Sequence, residues 1–307
     1  METLLQQIIN GLVQGSIYAL VALGYTMVYG IMGLINFAHG EVVMIGALVA
    51  LSVTAKLVAS GLPVWLAGAL GGCSAALVCM ALGWSLERVA YRPLRHAPRL
   101  TPLITAIGMS IVLQNLAMMI WGRNYMRFPT LFPKADFSIA GAHFSAVQVI
   151  IVLTSAAMMA GLLLLVYRTR LGMAMRATAQ NPHVASLMGV NIDRVIAAAF
   201  VIGSALAAVA GVMVGAYYEI AHYQMGFMLG LKAFTAAVLG GIGNIGGAMA
   251  GGILLGLIEA LGAGYIGDLT GGFLGSHYQD IFAFIVLITV LIFRPSGLLG
   301  EKTGERA

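Results

Sequence analysis

The residues of this sequence best suited to carry chemistry are ionisable and amide side chains that interrupt apolar stretches. The densest group is Asn36, His39 and Glu41, and Lys232 and Glu259 stand alone in other apolar runs. Because an ionisable group in a nonpolar medium is costly, it normally faces a helix-bundle interior or a watery cavity. These residues are therefore candidates for solute or proton movement, or for buried structural hydrogen bonds.

Three roles are open to Asn36, His39 and Glu41. The favoured one is an interfacial helix cap, in which Asn36 or His39 starts a helix and Glu41 lies at its positive end. A proton relay between His39 and Glu41 is the alternative. A metal site is not expected, because the two are only two residues apart and no second ligand cluster is evident.

The remaining ionisable groups favour structural roles over transport chemistry. Glu259 is expected to make a buried hydrogen bond to a neighbouring helix. Lys232 lies beside a glycine-rich stretch and is expected to extend towards the outer surface. Glu219 and His222 are expected at an interface, and Asp280 at the start of a helix, where the helix dipole favours an acid.

The elements that position these residues must be membrane helices. Hydrophobic residues make up 60% of the 307 residues and charged residues only 9%, which is too few charges for a soluble surface. This excludes a soluble enzyme, a nucleic-acid-binding domain and a disordered chain. The first Lys or Arg is Lys56, so the N-terminal apolar segment is predicted to be a retained span. Cys73 and Cys79 lie six residues apart, on different faces of a helix, which argues against a disulfide.

Apolar length predicts an all-α polytopic membrane protein with about eight to ten transmembrane helices. Basic residues concentrate in Glu87–Arg99, in Arg168–Arg194 and in the tail after Phe293, which places these segments in the cytoplasm and the N-terminus outside. Basic residues in the 122–145 loop oppose this weakly. The predicted spans are roughly 8–29, 41–60, 63–84, 102–121, 146–167, 195–217, 229–243, 247–265 and 278–293.

Two regions break the helical pattern, at Gly30–Gly40 and within Gly226–Gly256, whose centre reads GGIGNIGGA. Paired glycine-interrupted segments indicate pseudo-inverted repeats around a central pathway in transporters. Close helix packing explains the glycine-rich centre equally well. Packing is the favoured explanation for four scattered GxxxG pairs: Gly11/Gly15, Gly68/Gly72, Gly211/Gly215 and Gly252/Gly256.

The segment 168–194 is too polar to span a membrane. Its pattern predicts short amphipathic helices, broken at Asn181–Pro182 and ended near Gly189. Such helices either dock a soluble partner or lie on the membrane surface. None of the four lysines follows a glycine, so the chain has no Walker A motif for ATP hydrolysis.

Several segments resemble the permease subunits of branched-chain amino acid ABC importers, in the expected order along nearly the whole chain. The 122–145 loop shows the least resemblance. The matching segments are GYTMVYGIMGLINFAHGE (24–41), GWSLERVAYRPLR (83–95), ITAIGMSIVLQN (104–115), ASLMGVNIDRVIA (185–197), KAFTAAVLGGIGNIGGAMAGG (232–252) and RPSGLLG (294–300).

The resemblance implies a single permease domain over 1–307 in the bacterial inner membrane, working by alternating access. It implies a second homologous permease, two cytoplasmic ATPases that bind the ATP, and a periplasmic amino-acid-binding protein. It implies no catalytic site, cofactor or nucleic acid in this chain. The rival hypotheses are an ion-coupled secondary amino acid transporter and a channel-like pore.

By the same resemblance, 168–194 is the loop that couples to an ATPase. Arg176-Ala177-Thr178 departs from the Glu-Ala-Ala that opens the usual coupling motif. The coupling candidates are Arg176, Ala177, Asn181, Ala185, Leu187, Gly189 and Asn191. The candidates for the translocation path are Asn36, His39, Glu41, Lys232, Asn244 and Glu259.

Overall fold

All nine predicted apolar segments are helices in the computed structural model, which describes residues 2–95, 97–98, 100–131, 135–139, 141–269 and 279–300. Two further short helices lie in the 168–194 segment. In chain order the α-helices are α1 (Glu2–Met32), α2 (His39–Ala59), α3 (Val64–Leu86), α4 (Leu100–Trp121), α5 (Ala146–Arg168), α6 (Arg170–Gln180), α7 (Pro182–Leu187), α8 (Ile192–Tyr218), α9 (Met225–Gly240), α10 (Ile245–Leu269) and α11 (Gln279–Phe293).

The fold is the predicted all-α polytopic membrane protein. Within the described residues, seven helices are long and apolar enough to cross a membrane: α1, α2, α3, α4, α5, α8 and α10. Helix α9 has 16 residues and the described part of α11 has 15, so both are shorter than the seven candidate spans. The estimate of eight to ten spans counts these two shorter apolar helices.

Two small antiparallel sheets, which the sequence did not predict, mark one end of the bundle. Strand β1 (Met126–Arg127) pairs with β4 (Ile220–Ala221), and β2 (Asp136–Ile139) pairs with β3 (Ala142–Ser145). We call this the strand end, and the opposite end, which carries α6 and α7, the α6–α7 end. Arg99, Lys134 and the basic residues after Gly300, which contribute to the charge bias of the loops and tail, lie outside the described residues.

Glu219 and His222 lie at the strand end, and their interfacial position stays a prediction. Glu219 ends α8 in a left-handed conformation, with φ of 55°. The His222 ring stacks on Tyr125 with ring centroids 4.3 Å apart, and its Nε2 lies 3.0 Å from the carbonyl oxygen of Arg123. These contacts tie the loop after α4 to the chain that enters α9.

Helix α1 forms the centre of the bundle, and its closest partner is α10. The Gly11/Gly15 pair meets the Gly252/Gly256 pair so closely that a Cβ at any of the four would collide with backbone of the facing helix. This confirms the packing role predicted for these two pairs. Gly211 likewise packs against the backbone of α2, whereas Gly72 has no close neighbour among the described residues, so the packing predicted for it is not observed there.

Candidate functional site

The chain turns back alongside α1 and carries the end of the first break into the bundle: Gly33 is exposed, whereas Asn36 and Ala38 are buried. His39 begins α2 and its ring packs directly on Gly24, about two turns before α1 ends at Met32. The adjoining Gly40 then packs against the backbone of Gly226 and Gly230 in α9. Residues 33–38 are therefore a non-helical segment between helices, and we call them the first break.

Asn36 organises this break through its side-chain oxygen. Its Oδ1 accepts a hydrogen bond from the backbone N–H of Ala38 at 3.1 Å and another from the hydroxyl of Tyr91 at 2.7 Å. Asn36 and Tyr91 are both buried. The amide thus satisfies two donors that would otherwise be stranded away from water.

His39 and Glu41 are buried beside Asn36. The hydroxyl of Ser110 on α4 donates to Oε1 of Glu41 at 3.1 Å, and the His39 ring lies edge-on to Tyr25 with centroids 4.9 Å apart. Glu41 lies in the first turn of α2, as the cap prediction expects. The cap itself is wrong in detail, because Ala38 is the N-cap of α2 and no side chain caps that helix.

A second polar cluster joins four helices near the strand-end half of α9. Lys232 Nζ lies 3.1 Å from Glu259 Oε2 on α10 and 2.7 Å from Asp280 Oδ1 on α11, while Tyr18 on α1 donates to Glu259 at 2.8 Å. The predicted hydrogen bond from Glu259 to a neighbouring helix is confirmed. Lys232 does not extend to the outer surface, because two carboxylates hold its ammonium inside.

Asn244 stands apart from both clusters, in the turn between α9 and α10. Its Oδ1 accepts from Gly247 N–H at 3.1 Å, and its side-chain amide donates to the Leu299 carbonyl at 2.8 Å. The structure therefore groups Asn36, His39 and Glu41 together and Lys232 with Glu259, while Asn244 joins neither. No group of three or more His, Cys, Asp or Glu side chains fit to hold a metal occurs in the described part of the chain.

The glycine-rich centre GGIGNIGGA is a tight helical hairpin. Gly240 and Gly247 approach so closely that a Cβ on either would overlap the other's backbone, and Gly251 packs in the same way on Ala236. The tail after α11 closes the turn, since Leu298 and Leu299 N–H groups donate to the carbonyls of Leu239 and Gly240, each at 2.9 Å. Close packing therefore explains this segment.

The 168–194 segment folds as the sequence predicts, into two short helices with defined ends. Thr169 caps α6, and Asn181 both ends α6 and caps α7 through a bond from Val184 N–H at 3.1 Å. Gly189 has φ of +84°, a conformation that favours glycine, and ends the segment. Asn191 then caps α8 by accepting from Arg194 N–H at 3.0 Å.

The surface of α7 is unusually apolar for a segment outside the spans. Leu187 is 73% exposed and Met188 80% exposed, and Val184 is also exposed, whereas Ala185 is buried against the rest of the segment. Arg176 and Ala177 are half-buried, and Arg176 donates to the Val166 carbonyl. Among the coupling candidates, Leu187 therefore offers the largest free apolar surface.

Several residues that complete these clusters were missed in the sequence. Tyr91 binds Asn36 in the first break, Ser110 binds Glu41 in α2, and Tyr18 binds Glu259. Glu87 is completely buried at the end of α3, although in the sequence it is only one acid in an Arg-rich loop. The signal that the sequence offered was Glu87 itself, an isolated acid among arginines. Such an acid indicates an ion pair when its segment folds back on the bundle.

Known proteins resemble this chain over nearly its whole length. The family described as "Branched-chain amino acid transport system / permease component" matches residues 7–291. The chain is 48% identical to the high-affinity branched-chain amino acid transport system permease protein LivH of Escherichia coli (strain K12), over 98% of this chain and 97% of that protein. It is also 48% identical to the corresponding BraD of Pseudomonas aeruginosa, with the same coverage. The solved structure "PsaBC from Streptococcus pneumoniae in complex with Fab" aligns with 93% of this chain and 90% of that one, at a TM-score of 0.45 and 12% identity.

Proposed function

This chain belongs to the family of permease components of branched-chain amino acid transport systems, and on that premise we propose how it works as one. It is the membrane-spanning subunit of an ATP-driven importer of leucine, isoleucine and valine. It is a transport component rather than an enzyme. Together with a second, homologous permease it forms a translocation path that opens alternately to the two sides of the bacterial inner membrane.

The exposed apolar surface of α7 carries the proposed coupling to an ATPase. Val184, Leu187 and Met188 are apolar, exposed and outside the membrane spans. A membrane-surface helix would carry basic residues beside such a face, whereas the arginines of this segment lie in the neighbouring helices and α7 itself, PHVASL, contains neither Lys nor Arg. A soluble protein with an apolar cleft is therefore the better occupant. ATP binds and is hydrolysed on that partner, since this chain has no Walker A motif.

Orientation follows from the same assignment. The α6–α7 end faces the cytoplasm, in agreement with the Arg-rich segments, and the strand end faces the periplasm with the N-terminus. The strand end, with its two sheets, is then the docking side for a periplasmic amino-acid-binding protein. The C-terminal tail lies on the cytoplasmic side.

The first break is the part of this chain that we place nearest the translocation path. The non-helical segment carries Asn36, and His39 and Glu41 follow it in the first turn of α2. These side chains supply donors and acceptors inside the bundle, where irregular backbone is tolerated only when it is buried or lines a cavity. These side chains are buried in the present conformation. Lys232 and Glu259 hold the helices around the break, and alternating access requires the break to rearrange.

Reconstitution of the permease pair with the ATPases and the binding protein tests this function. Labelled leucine should enter proteoliposomes only when ATP, both ATPases and the loaded binding protein are present. The variant Leu187→Asp places a charge in the proposed docking surface and should abolish co-purification of the ATPase and uptake together. Tyr125→Asp, equally exposed at the strand end, is the matched control and should leave ATPase co-purification unchanged.

Two outcomes contradict the proposal. Uptake by this chain alone, driven by a proton or sodium gradient, would identify an ion-coupled secondary transporter. Normal ATPase binding and normal uptake in Leu187→Asp would remove α7 as the coupling surface.

A further inference from the structure

Helix α3 ends in an uncommon backbone geometry at the α6–α7 end of the bundle. Its last turn continues into a π-helical turn over Glu87–Tyr91 and a 3₁₀ turn over Arg92–Leu94. Single π-helical turns are rare and are frequently found at functional sites. This one also carries a carboxylate, Glu87, which is completely buried. A buried carboxylate needs oppositely charged or hydrogen-bonding partners, so the contacts of Glu87 show which parts of the chain the turn binds.

Two arginines connect Glu87 to the first turn of α8. Arg92 binds the carboxylate with two nitrogens, Nε at 3.2 Å and Nη2 at 2.9 Å, and Arg95 pairs with the same group. Both arginines also pair with Asp193, with Arg92 at 3.6 Å. Asp193 follows Asn191, the residue that caps α8 where the coupling segment ends. We call Glu87, Arg92, Arg95 and Asp193 the four-charge cluster.

The other end of the π-helical turn reaches the first break. Tyr91 is buried with its ring 5.1 Å from that of Phe200 on α8, and its hydroxyl donates to Asn36 at 2.7 Å. The same Asn36 oxygen accepts from Ala38 N–H at the start of α2. The five residues Glu87–Tyr91 therefore connect the four-charge cluster to the hydrogen bond between Tyr91 and Asn36.

We propose that the π-helical turn Glu87–Tyr91 is the joint that transmits movement of the α6–α7 segment to the first break, with Asp193 and Tyr91 as its positioning residues. The proposal rests on the proposed function, in which an ATPase moves that segment. A π-helical turn holds one residue more than the α-helical register. Release of that residue would rotate the chain beyond the turn by about 100° and shift it by about 1.5 Å along the axis. Such a change would withdraw the Tyr91 hydroxyl from Asn36 and would give the turn the second arrangement that a coupling element requires.

The chain offers matched variants for this joint. Tyr91→Phe removes one hydroxyl and keeps the ring against Phe200, while Asp193→Asn removes one charge from the cluster. Asp193→Glu restores the carboxylate. Arg88→Gln is the control, because Arg88 lies in the same π-helical turn but stacks over Trp84, 5.3 Å from its ring, rather than joining the cluster.

The measurement is leucine transported per ATP hydrolysed in proteoliposomes that contain the full complex. Tyr91→Phe and Asp193→Asn should each retain the ATPases and hydrolyse ATP at nearly the normal rate, with the transport ratio reduced about fivefold or more. Asp193→Glu and Arg88→Gln should keep a normal ratio. Because both positions act through one joint, the double variant should lose no more than the worse single variant.

The proposal is overturned if the ratio is normal in Tyr91→Phe and Asp193→Asn. It is also overturned if hydrolysis and transport fall in parallel with a lower melting temperature, or if the two losses add, since either result indicates a purely structural role. Failure of the proposed function gives a different signature, because the unmodified chain would then fail to retain the ATPases at all.

Discussion

The two glycine-containing interruptions, the first break and the turn between α9 and α10, differ in what holds them. Side-chain hydrogen bonds hold the first break and the start of α2: Tyr91 after α3 donates to Asn36, and Ser110 on α4 donates to Glu41. The turn between α9 and α10 lies at a helix end. It is held by backbone contacts between glycines and by the tail after α11.

This difference teaches that glycine density alone does not locate a functional break. The region richer in glycine is a tight hairpin, because glycines allow two helix backbones to touch. The region with fewer glycines is held by polar side chains, since polar groups inside the bundle must find partners. The pseudo-inverted repeat predicted from the pairing of the two regions stays a prediction, because the two are not built alike.

The largest effect is expected at Lys232, which fixes α9 to α1, α10 and α11. Lys232→Met leaves the carboxylates of Glu259 and Asp280 without their cation, at a cost of about 3–5 kcal/mol. The amount of folded protein in the membrane should fall sharply, as measured by size-exclusion chromatography after mild solubilisation. Lys56→Met, at an exposed position on α2, is the control and should have little effect. A normal yield of Lys232→Met would show that hydrogen bonds alone hold this cluster.

The two asparagines give a direct comparison of the breaks. Asn36→Ala strands the Tyr91 hydroxyl and the Ala38 N–H in the interior and should cost about 2–3 kcal/mol. Asn244→Ala loses a helix cap at a solvent-facing turn and should cost about 1 kcal/mol. Thermal reaction of the buried Cys79 thiol with a fluorescent dye, in a Cys73→Ser background, reports unfolding of both variants. Equal losses of stability would mean that water reaches the partners of Asn36 as readily as it reaches the turn at Asn244.

The most local effect is expected at Gly241, where φ is +108° and the tail packs on the backbone. Gly241→Ala should strain the backbone and displace the tail, because its Cβ would overlap the backbone of Gly300. Hydrogen exchange of the Leu298 and Leu299 amides should then accelerate, because their acceptors lie beside Gly241. Gly122→Ala has comparable strain, with φ of +85°, but faces open space, so tail exchange should stay normal there. Faster exchange of these amides in both Gly241→Ala and Gly122→Ala would show that loss of the tail contact is not the cause.

The sequence predicted local structure well because local structure depends on near neighbours. Apolar runs of the right length gave the helices, and Asn181–Pro182 with Gly189 gave the ends of α6 and α7. The facing glycine pairs of α1 and α10 were also predicted to pack. The two small sheets were missed, because strands of two to four residues carry too little pattern.

What the sequence determined by itself was a membrane protein of many helices, the family resemblance and the polar residues to examine. Only the tertiary structure decided which of those residues meet. Lys232 reaches Glu259 27 positions away and Tyr18 lies 241 positions from Glu259, and no periodicity reports such pairings. The burial of Asn36 was decided in the same way. Its partner Tyr91 comes from elsewhere in the fold, so the burial depends on how α2 and α3 return to α1. Long-range pairing follows from packing between helices, which near-neighbour patterns do not encode.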